Sequence, residues 1–383
     1  MVLKFRFAIA SDLHIALPET IWDHPQRFHL VEVSIPALEQ VFKHLEKLDI
    51  DFLLLPGDLT QHGERDNHAW LSDRLKNLPY PAYVVPGNHD VPLAVGEGSL
   101  IGLSEFPEYY PHCGYQDRSC LYYTCELTSG VRLIGLNSNW FDEQGNQIGY
   151  VDEKQLDWLK GVLAKSTDEL VLVMIHHNII EHLPGQSTNP LGRRYMLSNA
   201  PQLLEVLEEG GVKLVFTGHL HVQDIAQWRG VYDITTGSLV SYPHPYRILD
   251  FSRDDQGQQK LEIESHRIVS VPDFPDLASI SREWMGDRSF PFMMRLLMGH
   301  PLGLSQLEAE ELAPRLRYFW ADIAGGDARF DFPDFPPNRD SILRGLLPVR
   351  RSIIRQFYCY RQCHQNMGMW VFYAHRLQGS LNL

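Results

Sequence analysis

Five groups of polar side chains follow apolar runs of the sequence, and all are of types that bind metal ions. In chain order they are Asp12-Leu-His14, Gly57-Asp58, Gly87-Asn88-His89-Asp90, His176-His177 and Gly218-His219-Leu-His221. Divalent transition ions accept carboxylate oxygen, amide oxygen and imidazole nitrogen alike. Because buried carboxylates and histidines need such partners, five groups in succession predict a site for divalent cations.

The apolar run before each group predicts a buried strand. These runs are Lys4–Ala10, Asp51–Pro56, Ala82–Pro86, Leu170–Ile175 and Lys213–Thr217, and Val131–Asn137 is a sixth. Apolar residues at helical spacing lie between several of them, at Ile35–Leu48, Asp66–Leu78, Asp152–Ala164 and Asn199–Glu208. This alternation predicts an α/β sheet protein. Such proteins bind ligands at the carboxyl ends of their strands, which is where the polar groups fall.

The pattern changes after about His221. Strand-like runs follow without helices between them, at His221–Trp228, Val231–Thr236, Tyr246–Phe251 and Lys260–Arg267. They predict a second sheet packed on the first. Beyond Ser270 helical segments are predicted at Arg282–Met298, at Ser305–Ala324 and around Ser341–Arg376. We therefore predict a catalytic domain of residues 1–269 and a mainly helical extension of residues 270–383.

The order Asp-x-His, Gly-Asp, Gly-Asn-His-Asp, His and Gly-His-x-His resembles the calcineurin-like metallophosphoesterases over about residues 1–268. The resemblance implies a four-layer α/β sandwich of two β-sheets flanked by helices. It also implies a hydrolase that uses two divalent metal ions. One ion would be held by Asp12, His14 and His221, the other by Asn88, His176 and His219, and Asp58 would bridge them. These mixed ligands accept Mn, Fe or Zn.

Within that family, the motifs are most similar to class III cyclic-nucleotide and glycerophosphodiester phosphodiesterases. The sequence lacks the Tyr three residues after Asp58 that purple acid phosphatases have, and the Asp-Arg-Gly run of serine/threonine protein phosphatases. Asn178 stands where the class III group commonly has proline. The resemblance implies hydrolysis of a small-molecule phosphodiester by a metal-bridging hydroxide. A phosphomonoesterase, a nuclease and a non-catalytic scaffold of the same fold stay open as alternatives.

The chemistry of such a site assigns further roles. Two ions, two aspartates and one hydroxide leave a net charge of +1, which attracts a phosphodiester monoanion. His89 follows a predicted ligand but does not easily reach the same metal, so we interpret it as the residue that contacts phosphate and protonates the leaving group. Asp90 is predicted to orient His89. His177 is expected to point to the other face of its strand, in a supporting or core role.

Two long insertions, residues 91–119 and 178–197, border the predicted site, and long loops at strand ends commonly form lids. The second insertion contains Arg193 and Arg194. These arginines are candidates for substrate contact, where they would bind a second phosphate or the far side of the diester. A charge pair on a loop is more often simply solvated, and that alternative stays open. His24 and His29, which follow the first polar group, are less favoured as substrate contacts.

The composition limits the classes of partner that we expect the protein to bind. The chain has 383 residues, 44% of them hydrophobic, and a formal net charge of −14, which disfavours nucleic acid and anionic membranes as partners. The exception is Ser341–Leu383, which has six arginines, six aromatic residues and no Lys, Asp or Glu. Nucleic acid or a lipid surface is a possible partner for this segment. We favour its docking on the acidic remainder of the chain, or on a second subunit in a homo-oligomer.

The cysteines and the first residues bear on location. Five cysteines are an odd number in a long chain, which disfavours a disulfide scaffold and is compatible with a reducing compartment. No apolar run approaches the roughly 20 residues of a membrane span, so no transmembrane segment is predicted. Residues 1–10 are typical of a first strand rather than a signal peptide. The predicted location is the cytoplasm.

Overall fold

Two six-stranded β-sheets form the centre of the structure. It is a computed structural model that describes residues 3–22, 24, 27–168, 170–183, 185–188, 190–299, 302–326 and 377–382. The strands are β1 (Leu3–Ile9), β2 (Phe52–Leu55), β3 (Ala82–Val84), β4 (Tyr123–Thr128), β5 (Val131–Gly135), β6 (Asn139–Phe141), β7 (Gln147–Gly149), β8 (Leu170–Met174), β9 (Leu214–Thr217), β10 (Asp224–Trp228), β11 (Val231–Thr235), β12 (Pro245–Arg253), β13 (Gln259–Arg267) and β14 (Leu377–Asn382). The helices are α1 (Ser34–Leu45), α2 (Arg65–Lys76), α3 (Phe106–Tyr109), α4 (Glu153–Lys165), α5 (Pro190–Arg193), α6 (Ala200–Glu209), α7 (Leu277–Arg288), α8 (Phe290–Met298), α9 (Gln306–Leu312) and α10 (Phe319–Ala324).

Both sheets are mixed. The first sheet has the order β14-β13-β12-β1-β2-β3, in which β1, β2 and β3 run parallel and the other neighbours pair antiparallel. The second has the order β10-β11-β9-β8-β5-β4, with parallel pairing from β11 through β5. Strands β6 and β7 form a separate hairpin. The strands that precede the five polar groups, β1, β2, β3, β8 and β9, all take part in this parallel pairing.

Side-chain alternation along the strands builds the layers. Leu133, Leu172 and Leu214 belong to the large core cluster that contains the first sheet. Their neighbours Ile134, Val173 and Val215 belong to a second cluster with α4 and α6. Successive residues of a strand point to opposite faces, so the second sheet is covered on both sides. Helices α1 and α2 pack in the cluster of the first sheet. The predicted sandwich of two sheets flanked by helices is confirmed.

All six strands and all four helices predicted before residue 218 are present. The expectation that the later strands make a sheet of their own is wrong. Strands β10 and β11 extend the sheet of β5, β8 and β9, whereas β12 pairs with β1 from Leu3↔Arg253 to Ile9↔Arg247. Each strand's polarity pattern shows that it is buried, but it does not name the strand beside it.

The region beyond residue 270 is helical where the structure describes it, except for β14. Two predicted helices are interrupted, since proline ends α7 before α8 at Pro291 and breaks Ser305–Ala324 at Pro314. Strand β14 was not predicted; it pairs antiparallel with β13 at the edge of the first sheet. The predicted helix around Ser341–Arg376 lies outside the described residues. No described helix combines the length and the apolar character needed to cross a membrane.

Candidate metal centre

The five polar groups meet where the parallel strands of both sheets end. The loop after β1 is joined to the loop after β2 by hydrogen bonds from Asp12 N to Gly57 O and from His14 N to Asp58 O, at 3.1 and 2.9 Å. The two sheets are linked by His219 N, which donates to Asp12 Oδ1 at 3.1 Å. The strand ends are therefore fixed to one another by the same backbone that carries the polar side chains.

The backbone at these positions is strained. Eight described residues other than glycine have a positive φ, and five of them are predicted metal ligands: Asp12, His14, Asp58, His219 and His221. A non-glycine residue in the left-handed region costs roughly 1–2 kcal/mol. Such strain persists only where the surrounding structure enforces it, and it concentrates at functional sites.

Two glycines make room for the converging carboxylates. A Cβ at Gly87 would lie 2.1 Å from Asp58 N and 2.2 Å from Asp58 Oδ1. A Cβ at Gly218 would lie 2.5 Å from Asp12 Oδ2. Real Cβ atoms essentially never approach heavy atoms this closely, so the tight packing of the site excludes any side chain at either position.

The first set of possible ligands comprises Asp12, His14, Asp58 and His221, whose donor atoms all lie within 4.8 Å of one another. His221 Nε2 is 2.9 Å from Asp12 Oδ1, and His14 Nε2 is 3.8 Å from Asp58 Oδ2. Both ring nitrogens of His14 are buried without a hydrogen-bond partner among the described residues. An unsatisfied buried polar atom costs about 1–3 kcal/mol, and a cation between these donors would satisfy one nitrogen. The donor set therefore fits a divalent ion.

The second set comprises Asp58, His176 and His219, again with donor atoms within 4.8 Å, and Asn88 lies beside it. His176 Nε2 is 3.4 Å from Asp58 Oδ1 and 3.1 Å from Asn88 Oδ1. The His176 Nδ1–H donates to Pro56 O at 2.8 Å, which directs Nε2 toward the set. Because Asp58 Oδ2 faces the first set and Oδ1 the second, this carboxylate lies between the two.

Burial and neighbouring charges set the protonation of these groups. Burial holds the pKa of His14 and of His219 well below the ordinary value, assisted by neighbouring histidines. Burial opposes the charge on Asp58, but His176 and His89 outweigh it and hold the Asp58 pKa well below its usual range. Burial likewise opposes the charge on His176, yet Asp58 raises the pKa of His176 to about 9. A cation bound here would displace that proton.

His89 and Asp90 do not have the relationship that the sequence suggested. The carbonyl of Gln61 can only accept, so His89 Nδ1 carries a hydrogen and donates to it at 2.9 Å. Asp90 instead accepts from Gly87 N and Thr60 N, both at 2.8 Å. The expectation that Asp90 orients the His89 ring is therefore wrong. Its buried carboxylate holds the loop that carries Gly87 and Asn88, and burial together with Asp58 raises the Asp90 pKa to about 7.

His177 lies behind the second set. Its Nδ1 is 2.7 Å from Ser138 Oγ, and its ring centroid is 4.4 Å from that of His219. Burial first, and then the neighbouring His176, lower the pKa of His177 to about 3. The neutral ring packs against a possible ligand, in line with the supporting role expected for it.

A cavity of about 1030 Å³ opens onto both sets. Arg193 and Arg194, the predicted substrate contacts, are exposed and line it. The carbonyl of Arg194 lies 3.3 Å from His219 Nε2, which ties this loop to the possible ligands. Tyr195 also lines the cavity, with its ring centroid 5.2 Å from that of His219.

Four further residues line the cavity although the sequence did not predict them as site residues, or, for His29, favoured the role less: Trp22, His29, Phe292 and Trp320. Trp22 and His29 come from the loop between β1 and α1, where no periodicity distinguishes them. Phe292 and Trp320 come from α8 and α10, and their ring centroids are 5.5 Å apart. Apolar residues at helical spacing favour a core role, so the sequence carried no signal that these two reach the site.

The family model of the calcineurin-like phosphoesterases matches residues 5–223. The chain belongs to this family, and it is therefore a hydrolase of the phosphoesterase class. Family membership and the donor sets agree on a site that could bind divalent metal.

Among curated relatives, a protein of Arcobacter nitrofigilis named "Probable glycerophosphodiester phosphodiesterase GpdQ" is 28% identical over 59% of this chain and 76% of its own length. A "Probable cyclic nucleotide phosphodiesterase" of Synechococcus sp. is 30% identical over 60% of this chain and 78% of its own. The "3',5'-cyclic adenosine monophosphate phosphodiesterase CpdA" of Haemophilus influenzae is 23% identical over 60% and 77%.

Among solved structures, a dimetal phosphatase from Danio rerio aligns with a TM-score of 0.50 and 16% identity. The alignment covers 69% of this chain and 96% of that one. At this identity the likeness shows a shared fold.

Proposed function

We propose that the protein is a binuclear-metal hydrolase of small-molecule phosphodiesters. The observation that carries the proposal is the position of Asp58, whose two carboxylate oxygens face two separate sets of ligands. Asp12, His14 and His221 would complete one site, and Asn88, His176 and His219 the other. When bound, a pair of divalent ions supplies a nucleophile at neutral pH and positive charge for the phosphate.

The charge of the donor sets supports a diester. Asp12 and Asp58 are the only carboxylates in the sets that the described residues form. With only two carboxylates, the loaded centre keeps the net positive charge that attracts a phosphodiester monoanion. Three or four carboxylates would cancel that attraction.

His89 would protonate the leaving oxygen. It lines the cavity, and its Nδ1 is held by the Gln61 carbonyl, so Nε2 is the atom that would transfer the proton. A proton given to the departing alkoxide makes it a good leaving group. Asp90 would act by holding the loop rather than by touching His89.

The charged rim of the cavity and the names of the relatives indicate the class of substrate. The names of the relatives point to glycerophosphodiesters and cyclic nucleotides, and Arg193 and Arg194 would attract anionic substituents at the rim.

We assign residues 1–269 to the catalytic domain. The extension from residue 270 would shape the pocket through Phe292 and Trp320. We also place the protein in the cytoplasm, in keeping with Cys113, Cys120 and Cys125, which are free thiols.

The test compares two chromogenic esters under manganese, iron and zinc in turn. We expect the full chain to hydrolyse bis-p-nitrophenyl phosphate faster than p-nitrophenyl phosphate, and a panel of phosphodiesters would then rank the natural classes. Faster turnover of the monoester would make the protein a phosphomonoesterase and reject the proposal. Fewer than about one bound metal per chain after metal-supplemented purification would indicate a non-catalytic scaffold.

A further inference from the structure

His29 lies against the first set of ligands although it belongs to none of the motifs. Its ring centroid is 4.1 Å from that of His14 and 4.8 Å from that of His221. It lies in the loop between β1 and α1, after the Asp12-Leu-His14 group in the sequence. His29 therefore reaches the site from outside the five polar groups.

Its neighbours along the chain hold it in place. Leu30 N donates to Val240 O at 2.9 Å, and the ring of Phe28 packs against Phe292 with centroids 6.5 Å apart. The guanidinium of the buried Arg27 is 2.5 Å from Glu32 Oε1 and lies over the ring of Trp284. The position of His29 is thus fixed by packing on both sides, as a precise ligand site requires.

The spacing of donor atoms suits one ion. One ring nitrogen from each of His14, His29 and His221 lies within 4.8 Å of the other two. Metal–nitrogen bonds of about 2.0–2.1 Å place opposite ligands roughly 4.2 Å apart, so small side-chain rotations would bring all three into contact with one ion. This trio and the first set are separate groups that share His14 and His221. Because two imidazoles are common to both groups, we take one ion to serve both, so that it would also be bound by Asp12 and Asp58.

The other nitrogen of His29 has the partner expected of a ligand. Its Nδ1 lies 3.5 Å from Ser241 Oγ, at the outer limit of a hydrogen bond. Metal-binding histidines usually engage their second ring nitrogen in this way, which leaves Nε2 for the metal. The buried His244 also has an engaged Nδ1, which donates to Leu239 O at 2.9 Å, but it belongs to none of the donor sets that the described residues form.

We propose that His29 is a fifth protein ligand of the first metal site, beside Asp12, His14, Asp58 and His221. The inference rests on the proposed binuclear function. It makes the two sites unequal: the first has three imidazoles and two carboxylates, whereas the second has two imidazoles, one carboxylate and one amide. The imidazole-rich site would favour borderline ions such as Zn²⁺, Co²⁺ or Fe²⁺ over Mg²⁺.

The experiment measures metal binding without turnover. The metal-stripped full chain is titrated with Co²⁺ by equilibrium dialysis against a chelator, and the visible absorption of the bound ion is recorded. We expect two ions on the wild type. His29→Gln should weaken one of the two affinities about 10–100-fold and alter the absorption of that ion alone. Added imidazole should restore binding in His29→Ala.

His62→Gln is the matched control and should keep both affinities, since His62 is a neighbouring histidine outside the donor sets found among the described residues. Unfolding curves of the metal-free variants check that each one folds. If His29→Gln binds both ions with unchanged affinity and absorption, His29 is no ligand and the inference alone is overturned. A wild type that binds no ion would overturn the proposed function as well.

Discussion

The backbone amide of His89 donates a 2.8 Å hydrogen bond to Asp58 Oδ1. The proposed general acid and the proposed bridging ligand are therefore joined through the main chain, and the bond does not involve the His89 ring. Replacing the ring should leave the carboxylate in place. Metal binding and proton transfer can accordingly be separated by mutation.

Asp58→Asn should lose both ions, because one carboxylate serves both donor sets. Metal analysis is expected to fall from about two ions per chain to fewer than one, and hydrolysis to background. Asp157→Asn, at an exposed position of α4, is the control and should retain both. A variant that still held two ions would show that Asp58 does not bridge.

His89→Ala should keep both ions while slowing turnover about 10²–10⁴-fold. The loss should be larger for an alkyl leaving group than for p-nitrophenolate, since the better leaving group needs less help from a proton. Turnover and metal content are measured on the same samples. Loss of metal, or an equal loss with every leaving group, would contradict the role given to His89.

Gly87→Ala should abolish activity by displacing Asp58, with which the new Cβ would collide. Gly161→Ala is the matched control, because a Cβ there meets no described atom within 4 Å apart from the backbone of its own helix. Gly161 lies inside α4, so its replacement should stabilise the protein by about 0.5–1 kcal/mol and leave activity unchanged. Urea unfolding and a standard assay measure both effects, and an active Gly87→Ala would refute the predicted collision.

Trp320→Ala should raise the KM for an aryl phosphodiester about tenfold and leave kcat unchanged, because its ring lines the cavity but offers no ligand to the donor sets. The KM for a small alkyl diester should change little. Trp140→Ala removes an exposed ring that does not line the cavity and should have no effect. Unchanged KM values in both variants would show that the C-terminal helices do not contribute to substrate binding.

Stability should fall above neutral pH through His182, which is buried 3.0 Å from Asp224 Oδ2 and 3.3 Å from Asp233 Oδ2. Burial opposes its charge, but the two aspartates raise the His182 pKa to about 9. Since the unfolded value is about 6.5, the stabilisation is complete below about pH 6.5 and is lost as pH rises to about 9. The difference corresponds to about 3 kcal/mol.

Urea unfolding at about pH 6 and pH 9.5 measures this loss. His182→Gln should have a lower free energy of unfolding than wild type at about pH 6. It should also lose less of that free energy between the two pH values, because it lacks the ion pair. His112→Gln, at an exposed histidine, should follow the wild type. If wild type and His182→Gln lost the same free energy of unfolding between the two pH values, the ion pair would not be the cause.

The sequence was enough to predict that the metal-ligand candidates lie close together. Each of them follows a parallel strand, and parallel strands end at a common edge of the sheet. The direction of individual side chains could not. Asp90 follows His89 directly, yet the turn aims its carboxylate at Gly87 N and Thr60 N. His29 comes from a loop whose course depends on packing against α7 and α8, which no local pattern encodes.

The sheet that each strand joins was also not predictable from local sequence alone. The burial of β12 could be predicted from its apolar residues, but its partner could not, because both sheets offered a buried neighbour. The division of α7 from α8 was foreseeable from Pro291, since proline inside a helical pattern marks a boundary.

Strand β14 has a consequence for synthesis of the protein. It covers β13, which ends at Arg267, yet it begins only at Leu377. A nascent chain shorter than this leaves the whole hydrogen-bonding edge of β13 open, and an open edge recruits strands from other molecules. A premature stop codon between Arg267 and Leu377 would therefore release a polypeptide that carries all five polar groups and is prone to self-association.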